Sequence, residues 1–256
     1  MHFLICIMEN LNKLFRQGKC LFLSYDQGLE HGPTDFNDEN VNPEYIINIA
    51  KKGKYNALVF QKGIAQKYKK EIKASKIPLI IKLNGKTNLR HGEPLSTQLC
   101  TLKEAIKLGA IAVGYTIYLG SEFENVMLKE FVEIEREAHE KNIPVILWAY
   151  PRGKAVQHIE SGKLMAYAAR AGLELGADIV KIHWNNNKED LEWAVKVAGR
   201  CKVVVAGGLK VKEKEFLANV KEIMQTEASG LAIGRNVWQA RNPIELTKRI
   251  KKVIWK

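Results

Sequence analysis

Eight short apolar runs recur along this chain, separated by stretches of helical periodicity, and that alternation constrains the fold more than any other feature. The runs are CLFLSYD (20–26), NALVFQKG (56–63), PLIIKLNG (78–85), AIAVGYTIY (110–118), PVILWAY (144–150), DIVKIHW (178–184), KVVVAGG (202–208) and SGLAIGRN (229–236). All are rich in Val, Ile, Leu and aromatic residues, as strands buried on both faces are. Between them, TLKEAIKLGA places Leu102, Ala105, Ile106 and Leu108 on one helical face. ENVMLKEFVEIEREAHEKNI does the same with Val126, Met127, Phe131 and Ile134, and KLMAYAARAGLELGA and VKEKEFLANVKEIMQ behave likewise. Gly109, Gly176 and Gly199 fall just before a strand, where a glycine can end the preceding helix. Eight such repeats predict a single α/β domain, a (β/α)8 barrel. A doubly wound open sheet is the alternative, but no G-x-G-x-x-G follows the first strand.

The remaining bulk properties narrow the class. With 256 residues and 46% hydrophobic content, the chain can bury a full core as one domain, 1–256, with residues 1–8 as a short N-terminal extension. That opening has an apolar run only from Phe3 to Met8 and no basic flank, so it does not read as a signal peptide. No run reaches the ~18 apolar residues of a membrane span. The net charge of +12 is spread over helix faces such as KYKKEIKASK and KVKEKEFLANVKE. That is solvated surface rather than a nucleic-acid footprint, and it suits an enzyme for phosphorylated substrates. Cys6, Cys20, Cys100 and Cys201 are far apart and form no C-x-x-C, as expected of reduced thiols in a cytoplasmic protein. The histidines form no H-x-H or H-E-x-x-H pair, so no metal site is expected.

In a barrel of this kind the active site lies at the C-terminal ends of the strands. Residues two apart on a strand share a face. Trp148 and Tyr150, Lys181 and His183, and Lys82 and Asn84 have that spacing at strand ends, with Asp26 ending the first strand and Lys62 near the end of the second. Lysines 62, 82 and 181 are each a candidate nucleophile, because a desolvated amine beside other cations loses its proton readily and can attack a ketone. Each could equally be half of an ion pair at the mouth, and spacing does not choose among them. AGGLK and AIGRN close the last two strands, where phosphate is often bound. Gly207, Gly208 and Gly234 allow backbone N–H groups to approach an anion, and Arg235 offers a forked donor.

Longer stretches resemble a known family. SYDQGLEHGPTDF (24–36), FQKGIA (60–65), IKLNGKTNL (81–89), VGYTIYLGS (113–121), YPRGK (150–154), AYAARAGLELGAD (166–178), WAVKVAG (193–199) and IGRNVWQ (233–239) are similar to archaeal-type class I fructose-bisphosphate aldolases. The resemblance implies that Lys181 forms a Schiff base with the substrate ketone and that Tyr150 donates and accepts protons. It implies that Asp26 orients substrate and assists the carbinolamine steps. It places Gln27, His31, Trp148, Arg152 and His183 at substrate-contacting positions, and Ala206, Gly207, Gly208, Gly234 and Arg235 around a phosphate. It implies no metal or other cofactor, a phosphorylated sugar substrate, and a homo-oligomer built from dimers. Four positions depart from the family pattern. Gln27 stands where a His is common, His183 where a second Lys is common, Ala206 where a Ser is common and Leu209 where a Pro is common. The implied reaction is reversible cleavage of fructose 1,6-bisphosphate to dihydroxyacetone phosphate and glyceraldehyde 3-phosphate. The alternative is a transferase sibling, 2-amino-3,7-dideoxy-D-threo-hept-6-ulosonate synthase; DQGLEHGPTDF and LNGKT favour the lyase. A non-catalytic basic binding protein is a third reading.

Overall fold

The computed structural model describes residues 9–256, so the proposed extension 1–8 lies outside the described residues. Eight parallel strands are β1 (Cys20–Ser24), β2 (Ala57–Gln61), β3 (Leu79–Lys82), β4 (Ala110–Ile117), β5 (Val145–Ala149), β6 (Ile179–His183), β7 (Lys202–Ala206) and β8 (Gly230–Ile233). Neighbours in sequence are neighbours in space, and β8 closes onto β1 from Cys20↔Gly230 to Leu23↔Ile233. The outer ring is α1 (Pro43–Gly53), α2 (Lys69–Ser75), α3 (Leu102–Lys107), α4 (Glu124–Glu140), α5 (Ser161–Glu174), α6 (Lys188–Val197), α7 (Glu213–Gln225) and α8 (Pro243–Ile254). The alternation read in the sequence is thus a closed (β/α)8 barrel.

Local chemistry sets the helix ends. Asn42, Thr101, Asn187 and Asn242 accept a backbone N–H at the starts of α1, α3, α6 and α8, and Thr101 forms a full capping box with Glu104. Pro43 and Pro243 occupy first-turn positions that need no N–H. Gly109, Gly176 and Gly199 all take positive φ after their helices, as expected. The apolar stripes are narrower than the sequence implied: Val126 is 47% and Ile106 36% exposed, while Met127, Phe131 and Ile134 are buried.

The strands stop sooner than the apolar runs do. Asp26 and Tyr150 lie just beyond β1 and β5, on the connections that diverge at the barrel mouth. Asn84–Gly85 leave the barrel and pair antiparallel with Thr97–Gln98. Lys62 does not end β2; it opens the short helix Lys62–Lys67. Arg235 likewise opens a short helix, Arg235–Trp238. The departures at Asp26, Tyr150 and Arg235 free polar side chains from the ladder where the site is built. Cys20, Cys100 and Cys201 are buried free thiols, as the spacing indicated. Among the described residues, no helix is long and apolar enough to cross a membrane.

Candidate active site

Three adjacent strands build the site floor in register. Trp148 pairs with Lys181, and Lys181 with Val204. Two residues on, Tyr150 and His183 rise above them, with Ala206 beside His183. The two rings of that upper layer stack, with centroids 4.2 Å apart and planes 25° apart. Below, Lys181 Nζ lies 5.0 Å from the Trp148 ring centroid. Trp148 needs Gly114 on the next strand: a Cβ there would fall 1.8 Å from its ring. That close approach seats the indole under the lysine.

A cavity of about 640 Å³ opens over this floor. Every site residue that the family resemblance implied lines it: Asp26, Gln27, His31, Trp148, Tyr150, Arg152, Lys181, His183, Ala206, Gly207, Gly208, Gly234 and Arg235. Lys82 lines it as well. Lys62 does not belong to it; its ammonium pairs with Glu104 at 3.0 Å on the outer surface, so of the three lysines it is the one explained as a simple ion pair. Glu30, Tyr118, Trp184 and Asn236 also matter, and sequence reasoning missed them. Glu30 sat inside a quoted motif without a role, and nothing in the spacing marked Asn236.

Electrostatics separates the two remaining lysines. Both are almost fully buried, at 5% exposed for Lys82 and 6% for Lys181. Lys82 faces Asp26 across 3.7 Å, with both side chains buried. Among the described residues, no carboxylate lies within ion-pair distance of Lys181. Burial lowers its pKa from 10.5 to about 8; Asp26 and Glu30 oppose the drop and Lys82 adds to it. Burial also raises the Tyr150 phenol well above 10, with Asp26 adding to the effect, so it rests protonated. His183 is held below 6.5 by the surrounding walls and by Arg152 and Lys181. Its ring is open to the cavity and solvent softens that effect, but its direction keeps the imidazole neutral at pH 7.

The opposite wall suits an anion. Gly207 packs so tightly on Ile233 that a Cβ would come within 2.9 Å, and its N–H is already donated to Ala232 at 3.1 Å. Its part is therefore close packing, not the anion contact that the sequence suggested. Gly208, at φ +67°, and Arg235 are left to face the cavity. Gly234 is required because a Cβ would sit 2.7 Å from the Ser24 carbonyl. Buried Asn236 clamps this loop, donating to the carbonyls of Gly207 and Leu209 at 2.7 and 2.8 Å and accepting from Val211 N at 3.0 Å. Asp35 receives Arg235 at 3.5 Å and His31 at 2.6 Å, which orients both. Ser24 Oγ, Gln27 Nε2, Trp148 Nε1 and Trp184 Nε1 are buried on the cavity lining without a hydrogen-bond partner among the described residues. Such atoms are natural contacts for the hydroxyls and phosphates of a polar ligand.

A partly free amine at this depth, with a phenol and a carboxylate close by, is equipped to attack a carbonyl and to move the protons that follow. That is the equipment a Schiff-base aldolase, or a transferase of the same lysine chemistry, requires. Comparison agrees. The DeoC/LacD family aldolase model matches residues 20–240. The chain is 44% identical to a class 1 fructose-bisphosphate aldolase of Thermoproteus tenax, covering 97% of this chain and 96% of that protein. It is 40% identical to one of Halobacterium salinarum, over 94% and 92%. A solved archaeal fructose-1,6-bisphosphate aldolase, whose catalytic Lys carries the substrate's carbinolamine intermediate, superposes with a TM-score of 0.92 at 42% identity, covering 98% of this chain and 100% of that one. The chain belongs to the DeoC/LacD aldolase family, among its class I fructose-bisphosphate aldolases.

Proposed function

We propose that this protein reversibly cleaves fructose 1,6-bisphosphate to dihydroxyacetone phosphate and glyceraldehyde 3-phosphate through a Schiff base on Lys181. The observation that carries this reading is Lys181 itself: a buried amine with pKa about 8, on the floor of a cavity whose far wall is an anion cradle. The C1 phosphate is held by Gly208 and Arg235, on a wall shaped by Ala206, Gly207 and Gly234. This fixes the C2 ketone over Lys181 Nζ. The amine adds to C2 to give a carbinolamine, with Asp26 orienting the group under attack. Tyr150 enters as an acid, because it rests as a phenol. It protonates the departing hydroxyl, water leaves, and the iminium remains. The resulting phenolate takes the C4 hydroxyl proton as the C3–C4 bond breaks, and the bond's electron pair flows into the iminium as an enamine. Glyceraldehyde 3-phosphate leaves. Tyr150 then returns its proton to C3, and hydrolysis frees dihydroxyacetone phosphate.

The iminium is the electron sink, so the chemistry asks for no metal. Gln27, His31, Trp148, Arg152 and His183 contact the sugar; the unpartnered Gln27 Nε2 and Trp148 Nε1 are donors for its hydroxyls. The whole chain acts as one catalytic domain, in the cytoplasm, as a homo-oligomer built from dimers. A cleavage assay on fructose 1,6-bisphosphate with EDTA tests the reading. Triose phosphates should form at an undiminished rate; no cleavage, or loss of turnover on chelation, overturns it. Cleavage of the hexose bisphosphate without an added acceptor also separates the lyase from the transferase sibling.

A further inference from the structure

Glu30 is an acid on the wall of a cavity that receives a doubly phosphorylated sugar. A carboxylate there opposes the ligand's charge unless it holds cations in place. Its contacts are of that kind. Glu30 Oε1 accepts from Arg152 Nη1 at 3.0 Å and from the Tyr118 hydroxyl at 3.3 Å. The Glu30 carbonyl accepts from Asn88 N at 2.9 Å. One residue after β1 thus ties down the connections that follow β3, β4 and β5. The guanidinium it holds lies 5.4 Å from the Tyr118 ring centroid and 5.5 Å from that of Tyr150. Arg152 is 44% exposed on its side chain while Glu30 is 16%, so the acid is anchored and the arginine faces the opening. Burial alone would raise the Glu30 carboxyl, but Lys82, Arg152, Lys86 and His31 together outweigh it and keep the group ionised.

Resting on the function proposed above, the direction of the substrate follows. With C1 phosphate toward β7 and β8 and C2 over Lys181, carbons 3 to 6 run across Tyr150 toward β5 and Arg152. We infer that Glu30 is a positioning residue, which fixes the Arg152 guanidinium at the far end of the cavity to receive the C6 phosphate. Glu30 makes no contact with the reacting carbons. Its carboxylate orients the fork of Arg152 toward one side and leaves the remaining N–H groups for a phosphate oxygen.

Two substrates and a double-mutant cycle test this. Fructose 1-phosphate has the same C1–C3 half and lacks the C6 phosphate. Glu30→Gln keeps the size of the side chain and removes its charge. It should raise KM for fructose 1,6-bisphosphate about tenfold, the scale of one charge-assisted hydrogen bond, with kcat nearly unchanged. For fructose 1-phosphate KM should not move and kcat should not fall, because the lost charge acts there only by easing deprotonation of Lys181. In an Arg152→Gln background, adding Glu30→Gln should raise KM for the bisphosphate no further. Glu30→Asp, which retains the charge on a shorter arm, should recover part of the lost affinity. Additive losses in the double variant overturn the inference. So does a fall in kcat on both substrates, which would put Glu30 in the chemistry itself. Borohydride trapping with dihydroxyacetone phosphate distinguishes the two levels of the argument: trapping at Lys181 in every variant keeps the failure local to Glu30, whereas absence of trapping in the unaltered protein overturns the function on which the inference rests.

Discussion

Replacing Lys82 with Gln probes how the site keeps its nucleophile free. At pH 7 an amine of pKa 10.5 is unprotonated in roughly three molecules in ten thousand, and one of pKa about 8 in roughly one in eleven. That gain of about 300-fold in free amine corresponds to about 3.4 kcal/mol at 1.36 kcal/mol per pKa unit. Desolvation is the largest contributor, and the buried Lys82 ammonium adds to it. Lys82 also engages the Asp26 carboxylate at 3.7 Å. Without Lys82, a like charge is gone and Asp26 is released to favour the protonated form of Lys181. Both changes raise the Lys181 pKa, by about one unit or more on the scale of a nearby charge lost or gained. The acidic limb of kcat/KM against pH should move up by at least about one pH unit. Activity at pH 7 should fall about tenfold and recover above pH 9. The assay is a coupled triose phosphate readout across pH 6 to 10. An acidic limb that stays in place, or moves down, refutes the electrostatic account of Lys181.

Three further outcomes are expected. Tyr150→Phe should cut turnover by about 10²- to 10⁴-fold, the scale of general acid–base catalysis, while an adduct at Lys181 can still be trapped; unchanged turnover would remove Tyr150 from the proton path. Gly114→Ala forces a methyl into the Trp148 ring and should destabilise the barrel by about 1–3 kcal/mol or displace the indole, read as a lower Tm and quenched activity together; a fully active, equally stable variant would contradict the packing described. His139, at the opposite end of the barrel, lies 3.0 Å from Asp178 and 2.7 Å from Glu135. The Asp178 contact, with both carboxylates' charge, raises its pKa above 6.5. The stabilisation it contributes is therefore complete below pH 6.5 and is lost as pH rises through the higher folded-state value. A Tm difference between the protein and its His139→Gln variant should shrink as pH rises from 6 to 9; a difference that grows with pH would contradict this sign.

The barrel was legible because its strands are buried on both faces and read as predominantly apolar runs. The run DIVKIHW, with a lysine in its midst, marked the site before any geometry was known. Strand ends were less legible, since Asp26, Lys62 and Tyr150 all sit at the ends of largely apolar runs, and only the chain's departure from the ladder there takes them out of it. Periodicity left lysines 62, 82 and 181 equivalent. Three-dimensional pairing separates them: Lys62 with Glu104 outside the cavity, Lys82 with Asp26 inside it, and Lys181 unpaired below Tyr150. The division of labour in the anion cradle was not legible at all. Gly207 looked like an anion contact, but its amide is committed to Ala232, and the residue that shapes the loop is buried Asn236. Partners 25 to 29 residues away in sequence leave no periodic trace.

The central claim is that Lys181 is the Schiff-base nucleophile. Incubating the protein with dihydroxyacetone phosphate, reducing with borohydride and mapping the modified peptide measures this directly. The account predicts one stable adduct, on Lys181. An adduct on Lys62 or Lys82, or none, would contradict it.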